Sequence, residues 1–99
     1  MDLDILKRSN SYLVNFDNFV LIIKKNTKEK LGEIMIYYGG GLVFHEQVPI
    51  YKLYNYSLNI NDFIQFVENH YMRATTEHRN DILNSLRQHH KQIQPYFFV

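Results

Sequence analysis

Hydrophobic and polar positions alternate through the first half of the chain and follow a longer period in the second. Two short runs, 12–16 and 19–24, flank Asp17 and Asn18, both of which tolerate the positive φ of a tight hairpin. With residue 16 paired to 19, Tyr12, Val14, Phe16, Phe19, Leu21 and Ile23 project to one wholly apolar face, because side chains alternate along a strand. The opposite face carries Asn15 and Lys24 beside Leu13, Val20 and Ile22. Residues 33–38 and 42–48 repeat the pattern across Gly39, Gly40 and Gly41. Centring that turn on Gly40 puts Ile34, Ile36, Tyr38, Leu42, Phe44 and Val48 on one face, with Glu46 near its end. Glu33, Met35, Tyr37, Val43, His45 and Gln47 fall on the other. One apolar and one mixed face predict an antiparallel sheet covered on a single side. Pro49 cannot donate to a ladder, so it ends the last strand or marks it as an edge. Residues 51–56 are expected to add a short fifth strand.

Near residue 57 the period lengthens. Asn59 and Asn61 are good caps for a helix in which Ile60, Phe63, Ile64, Val67 and Tyr71 share a stripe. Thr75 and Thr76 offer a second cap, followed by Ile82, Leu83, Leu86 and Ile93 and a stop before Pro95. A single helix from about 61 to 93 is the alternative to two. At the other end, Asp2 or Asp4 is placed to open a short helix over residues 2–8. The predicted class is α+β: a four- to five-stranded antiparallel sheet built from two hairpins, with two C-terminal helices on its apolar face. One domain spans 1–99, divided into an N-terminal helix or arm (1–10), the sheet (11–56), the helical part (57–94) and an apolar tail (95–99).

Composition narrows the function classes. Ninety-nine residues, 45% hydrophobic and 21% charged, lie in the globular range. The longest apolar run, Phe19 to Ile23, is far short of a membrane span. The first ten residues carry Asp2 and Asp4 and lack a charged-then-apolar leader pattern, so a cytoplasmic location is expected. With no cysteine there is no disulfide, thiolate nucleophile or cysteine-based zinc site. The usage is skewed toward residues with AT-rich codons: ten Asn, ten Ile, eight Tyr and seven Lys, against one Ala and two Pro. In length and composition the chain resembles the small orphan proteins of AT-rich phages and of filamentous or rod-shaped archaeal viruses. That resemblance implies an effector or regulator acting in the host cytoplasm and carries no site residue.

Charge is nearly balanced overall, at +1, but unevenly placed. Lys24, Lys25, Lys28 and Lys30 oppose only Glu29 in the segment joining the two hairpins. A basic loop there would lie along phosphates and release their counterions, or meet an acidic protein; a solvated connection is the plainer reading. The last helix adds Arg79, Arg87 and Lys91, countered by Glu77 and Asp81 in its first turns, where acids also complement the helix dipole. Tyr51, Lys52, Tyr54 and Tyr56 alternate aromatic and basic character as single-strand binders do, although an edge strand packing its tyrosines has the same pattern.

The five histidines do not space as ligands on one helix should, and His45-Glu46 is not a zinc-protease start because Pro49 stands where a second histidine is required. No metal or cofactor is expected. Gly39 to Gly41 lacks the Lys-Ser/Thr and the strand-to-helix context of a phosphate loop, and reads as a hairpin turn. An enzymatic reading has one foothold: Glu33 and His45 are diagonal neighbours on the mixed face, within reach of each other and of a water that would cleave a phosphodiester. The apolar tail Tyr96, Phe97, Phe98 either docks on its own core or meets a second copy as a dimer contact. These features favour a small non-enzymatic binding or regulatory protein, expected as a homodimer, that contacts nucleic acid or an acidic host protein through its basic loop. The alternatives are a phosphodiesterase or nuclease using Glu33 and His45, and a self-associating structural protein.

Overall fold

The computed structural model describes residues 9–98, and the expected helix at 2–8 lies outside them. Strands β1 (Ser9–Asn15), β2 (Phe19–Asn26), β3 (Leu31–Tyr38) and β4 (Gly41–Pro49) form one antiparallel meander in the order β1-β2-β3-β4. The first hairpin has the predicted register: Tyr12 faces Ile23, Val14 faces Leu21, and the Phe16 N–H donates to the Phe19 carbonyl at 2.9 Å. The second follows a turn centred on Gly40 from the Leu31–Pro49 pair to the Ile36–Phe44 pair, then slips by one residue. Gly39 and Gly40, at φ 59° and 85°, are the two central residues of the loop, so Tyr38 pairs with Gly41 and Tyr37 with Leu42. A two-residue loop of that hand matches the twist of the strands it joins, and it replaces the three-glycine turn expected from the sequence. The surplus residue becomes a bulge at Val43, whose carbonyl accepts the Arg73 N–H at 2.7 Å. Val43 packs against the core, and Leu42 is moved to the exposed side.

The predicted fifth strand is a helix. α1 (Ile50–Leu58) follows Pro49 directly, so the sheet ends at residue 49 rather than 56. Leu53, Tyr56 and Ile60 are buried at spacings of three and four, while Tyr51, Tyr54 and Leu58 face outward. Over six residues that spacing imitates alternation, and only the continuation to Ile60 separates the two periods. The remaining helices are α2 (Ile60–Asn69), α3 (Thr76–Gln88) and the single turns α4 (His90–Ile93) and α5 (Pro95–Phe98). Residues 61–93 therefore do not form one helix. Asn59 caps α2 by accepting the Asn61 N–H at 3.2 Å, and Thr75 caps α3 by accepting the His78 N–H at 3.1 Å.

All of these elements share one core on the apolar face of the sheet, where Leu21, Ile23, Ile34, Ile36 and Phe44 meet Leu53, Phe63, Val67, Ile82 and Leu86. The tail docks on its own chain. Phe97 is fully buried, with its ring centroid 4.7 Å from that of Phe63 and 5.6 Å from that of Tyr56, so it is withdrawn from the expected dimer contact. Tyr96 is half-buried beside Tyr12, and Gln94 Nε2 donates to the Ser57 carbonyl at 2.6 Å, tying the tail to the end of α1.

The tightest seat in the core is Leu53 against Gly32. A Cβ at Gly32 would stand 2.5 Å from Leu53 Cδ1 and 2.7 Å from its Cγ, and Leu53 is fully buried with no room to retreat. Gly32→Ala is expected to destabilise the protein by about 1–3 kcal/mol, and to cost less in a Leu53→Ala background; a double-mutant cycle in urea measures the difference.

Burial, with Asp62 adding its charge, pushes the Tyr56 hydroxyl up to about 12. A group protonated in the fold and ionised in the unfolded chain lowers stability as pH rises from about 10 to about 12, by up to roughly 2–3 kcal/mol. Tyr56→Phe is expected to flatten that alkaline loss, as followed by chemical unfolding at pH 9 to about 12.

Candidate functional site

The β2–β3 connection is short. β2 runs to Asn26 and β3 begins at Leu31, so Lys24 and Lys25 are strand residues and only Lys28 and Lys30 of the predicted basic loop are in the turn. Asn26 Oδ1 accepts the Glu29 N–H at 3.0 Å, and Lys30 completes the reversal at φ 56°. Lys24 is half-buried on the open face of the sheet, paired across the strands with Glu33. Lys25 continues the inward series Phe19, Leu21, Ile23 and is only 3% exposed. Burial lowers its pKa below the usual lysine value, and its ammonium lies 4.4 Å from the centroid of the Tyr54 ring. Lys25 is thereby corrected from a loop contact to a buried prop of α1.

Helix α1 makes this end of the molecule a surface. The Ile50 N–H donates to the Lys30 carbonyl at 3.0 Å, which holds the basic turn against the first turn of α1. That first turn has no acidic residue and no side-chain cap. Tyr51 and Tyr54 are exposed there, and the Lys52 ammonium lies 5.9 Å from the Tyr51 ring. This end of the molecule thus presents exposed Lys28 and Lys30 in the turn and exposed Tyr51, Lys52 and Tyr54 on α1, with Lys25 buried beneath Tyr54 and Glu29 the acid in the turn.

Lys52 also lines an open cleft of about 280 Å³ between α1 and α2, with Asn55, Tyr56, Asp62, Gln65, Phe66, Asn69 and His70. The His70 ring sits tilted against that of Phe66, with centroids 4.1 Å apart, and bonds through Nδ1 to the Phe66 carbonyl at 2.7 Å. Three carboxamides in one cleft supply both donors and acceptors. These residues were missed in the sequence because the face of α2 bearing Gln65 and Asn69 has meaning only once 50–58 is known to be a helix. A second cleft, about 250 Å³, lies at the β1–β2 turn; Asp17 and His89 line it and no lysine or arginine does.

The arginines of α3 are engaged within the protein. Arg79 Nη2 donates to the Glu68 carbonyl at 2.6 Å, while Arg87 reaches the Glu68 carboxylate at 2.9 Å and Asn84 Oδ1 at 3.3 Å. Together they clamp α3 to the end of α2. Lys91 is exposed on α4, away from the turn in sequence. The predicted partner residues therefore divide into a basic end around Lys28 and Lys30, a buried Lys25, the structural clamp of Arg79 and Arg87, and two separate lysines, Lys24 on the open face and Lys91 on α4.

Glu33 and His45 meet as their diagonal placement predicts, with Nε2 to Oε2 at 2.8 Å. Met35 faces His45 and Gln47 faces Glu33, so the bond crosses β3 and β4 on the open face. The pair belongs to neither cleft, and among the described residues no three His, Asp or Glu side chains converge as metal ligands would. No helix is long and apolar enough to cross a membrane among the described residues. Comparison with known families, curated proteins and solved structures finds no match to this chain.

Removing the Arg87 guanidinium is expected to lower stability by about 0.5–1 kcal/mol, as an exposed bridge with one extra hydrogen bond should. Lys28→Ala is expected to change it by less than about 0.5 kcal/mol. Thermal melts of the two variants separate clamp from free surface.

Proposed function

We propose that this protein is a non-enzymatic binder of single-stranded nucleic acid, and that the strand lies across the basic end of the sheet. The observation that carries the reading is the hydrogen bond from Ile50 to the Lys30 carbonyl, which holds the turn bearing the exposed Lys28 and Lys30 against the first turn of the helix that carries Tyr51, Lys52 and Tyr54. Lysines neutralise phosphates without regard to sequence, and exposed aromatic rings stack bases in the same tolerant way. The carboxamides beyond Lys52 add groups able to bond base edges. A duplex reader fits less well. A groove-entering helix needs its cations outward, and those of α3 are spent on Glu68.

The Glu33–His45 pair suits a cross-strand tie better than a phosphodiesterase centre. It is flat and half-exposed, and activation of water for cleavage draws its strength from an enclosed site.

Fluorescence anisotropy with labelled single- and double-stranded oligonucleotides from 50 to 200 mM salt tests the proposal. Three to four phosphate contacts predict a loss of single-strand affinity of about 20- to 50-fold over that range. Lys28→Ala with Lys30→Ala should flatten the slope, whereas Tyr51→Ala or Tyr54→Ala should weaken binding about tenfold or more at an unchanged slope. Absence of binding at the lowest salt sinks the reading and leaves an acidic protein as the partner to seek. Cleavage of the labelled strand, abolished by Glu33→Gln, moves the chemistry to the open face.

A further inference from the structure

The face of the sheet that the helices do not cover is apolar at its centre. Leu13, Ile22 and Met35 form one cross-strand row, and Val20 and Tyr37 stand in the next. Leu13 is 54% exposed, Val20, Ile22 and Tyr37 are half-buried and Met35 is 9% exposed, yet none of the five belongs to the cluster on the helix side or packs against it. No described helix contributes to this face. Beside the apolar rows runs a polar one, Ser11, Lys24, Glu33 and Gln47, in which the two charges sit on the two central strands.

We propose that this face packs against the same face of a second copy, about a two-fold axis parallel to the strands and passing between β2 and β3. The charges select the axis. A two-fold along the strands preserves the row and exchanges the strands, so Lys24 of one copy lies over Glu33 of the other, twice over. The same operation stacks Ile22 on Met35 and Val20 on Tyr37. A two-fold across the strands instead reverses the rows and drives Lys24 toward Val20, burying a cation against an aliphatic side chain. Four strands about 4.8 Å apart and about six residues long cover roughly 400 Å² per copy, and side-chain relief raises the total buried to on the order of 1,000 Å². That is the lower bound for a specific interface, so the dimer is weak and reversible.

Sedimentation velocity from about 10 µM to about 1 mM reads the association. The unmodified chain should move from monomer to dimer across that range. Lys24→Glu alone and Glu33→Lys alone each set like charges against each other and should weaken association at least tenfold. An equal mixture of the two single variants should recover it, because each position 24 then meets an opposite charge at position 33 of the other variant. Ile22→Thr, which keeps the β-branched shape on a half-buried strand position, should weaken association roughly tenfold without a charge change. Circular dichroism checks that each variant folds. A chain that stays monomeric throughout overturns the proposal. So do single variants that associate as well as the parent, as pairing through the edges of β1 or β4 would have them do, and so does a mixture that fails to recover.

Discussion

Leu53 reaches the sheet only because Gly32 has no side chain, and the rest of the structure is arranged around that contact. Gly32 faces Lys25 on one neighbouring strand and Val48 on the other, so α1 comes down on the end of the sheet where the three strands are closest to their turns. The descent sets Ile50 against the Lys30 carbonyl and Tyr54 over the Lys25 ammonium. It also turns Tyr56 inward to meet Phe63 and Phe97, which is how a tail more than forty positions later finds a seat. A bulkier residue at 32 would lift α1, and with it the exposed tyrosines, away from the basic turn. The core and the candidate interface therefore rest on one close approach.

That dependence explains which parts of the molecule could be read from residues alone. The first hairpin was legible because Asp17 and Asn18, both tolerant of positive φ, fix the turn, and strand parity then fixes which side chains share the apolar face. The caps at Asn59 and Thr75 were legible because capping is local chemistry, settled within three residues. The second hairpin was legible along its length and misread at its tip, where three glycines allow either a two- or a three-residue turn and the structure has the shorter one. α1 was lost because Tyr51, Tyr54 and Tyr56 resemble a strand over a short window, and its helical period is completed by Ile60, which belongs to the next helix. With α1 went the carboxamide cleft, which has no counterpart in any linear spacing.

Charge was the least legible property, for a physical reason. A lysine or arginine is basic wherever it stands, but its availability depends on its neighbours in three dimensions. Lys25 follows the inward parity of β2 and is taken up by burial and by Tyr54. Arg79 and Arg87 converge on Glu68, eleven and nineteen positions away. Lys28 and Lys30 stay outward because a four-residue turn has no inside. The Glu33–His45 geometry was legible for the opposite reason: diagonal positions on adjacent strands are fixed once the register is fixed.

The two proposed surfaces do not overlap, and their arrangement couples them. A two-fold parallel to the strands leaves strand direction unchanged, so both β2–β3 turns, and both copies of α1 beside them, come to the same end of the dimer. Sheets stacked about 10 Å apart then bring two sets of Lys28, Lys30, Tyr51 and Tyr54 within reach of one strand. The second contact becomes intramolecular, and affinity rises beyond that of either end alone without any new side chain. Mass action would run the other way as well: in the proposed dimer, a strand held by both ends would stabilise a pairing that the open face alone holds weakly. Were both proposals to hold, the weak interface would respond to the strand, because the paired state would be populated where a strand bridges it and depleted where none does.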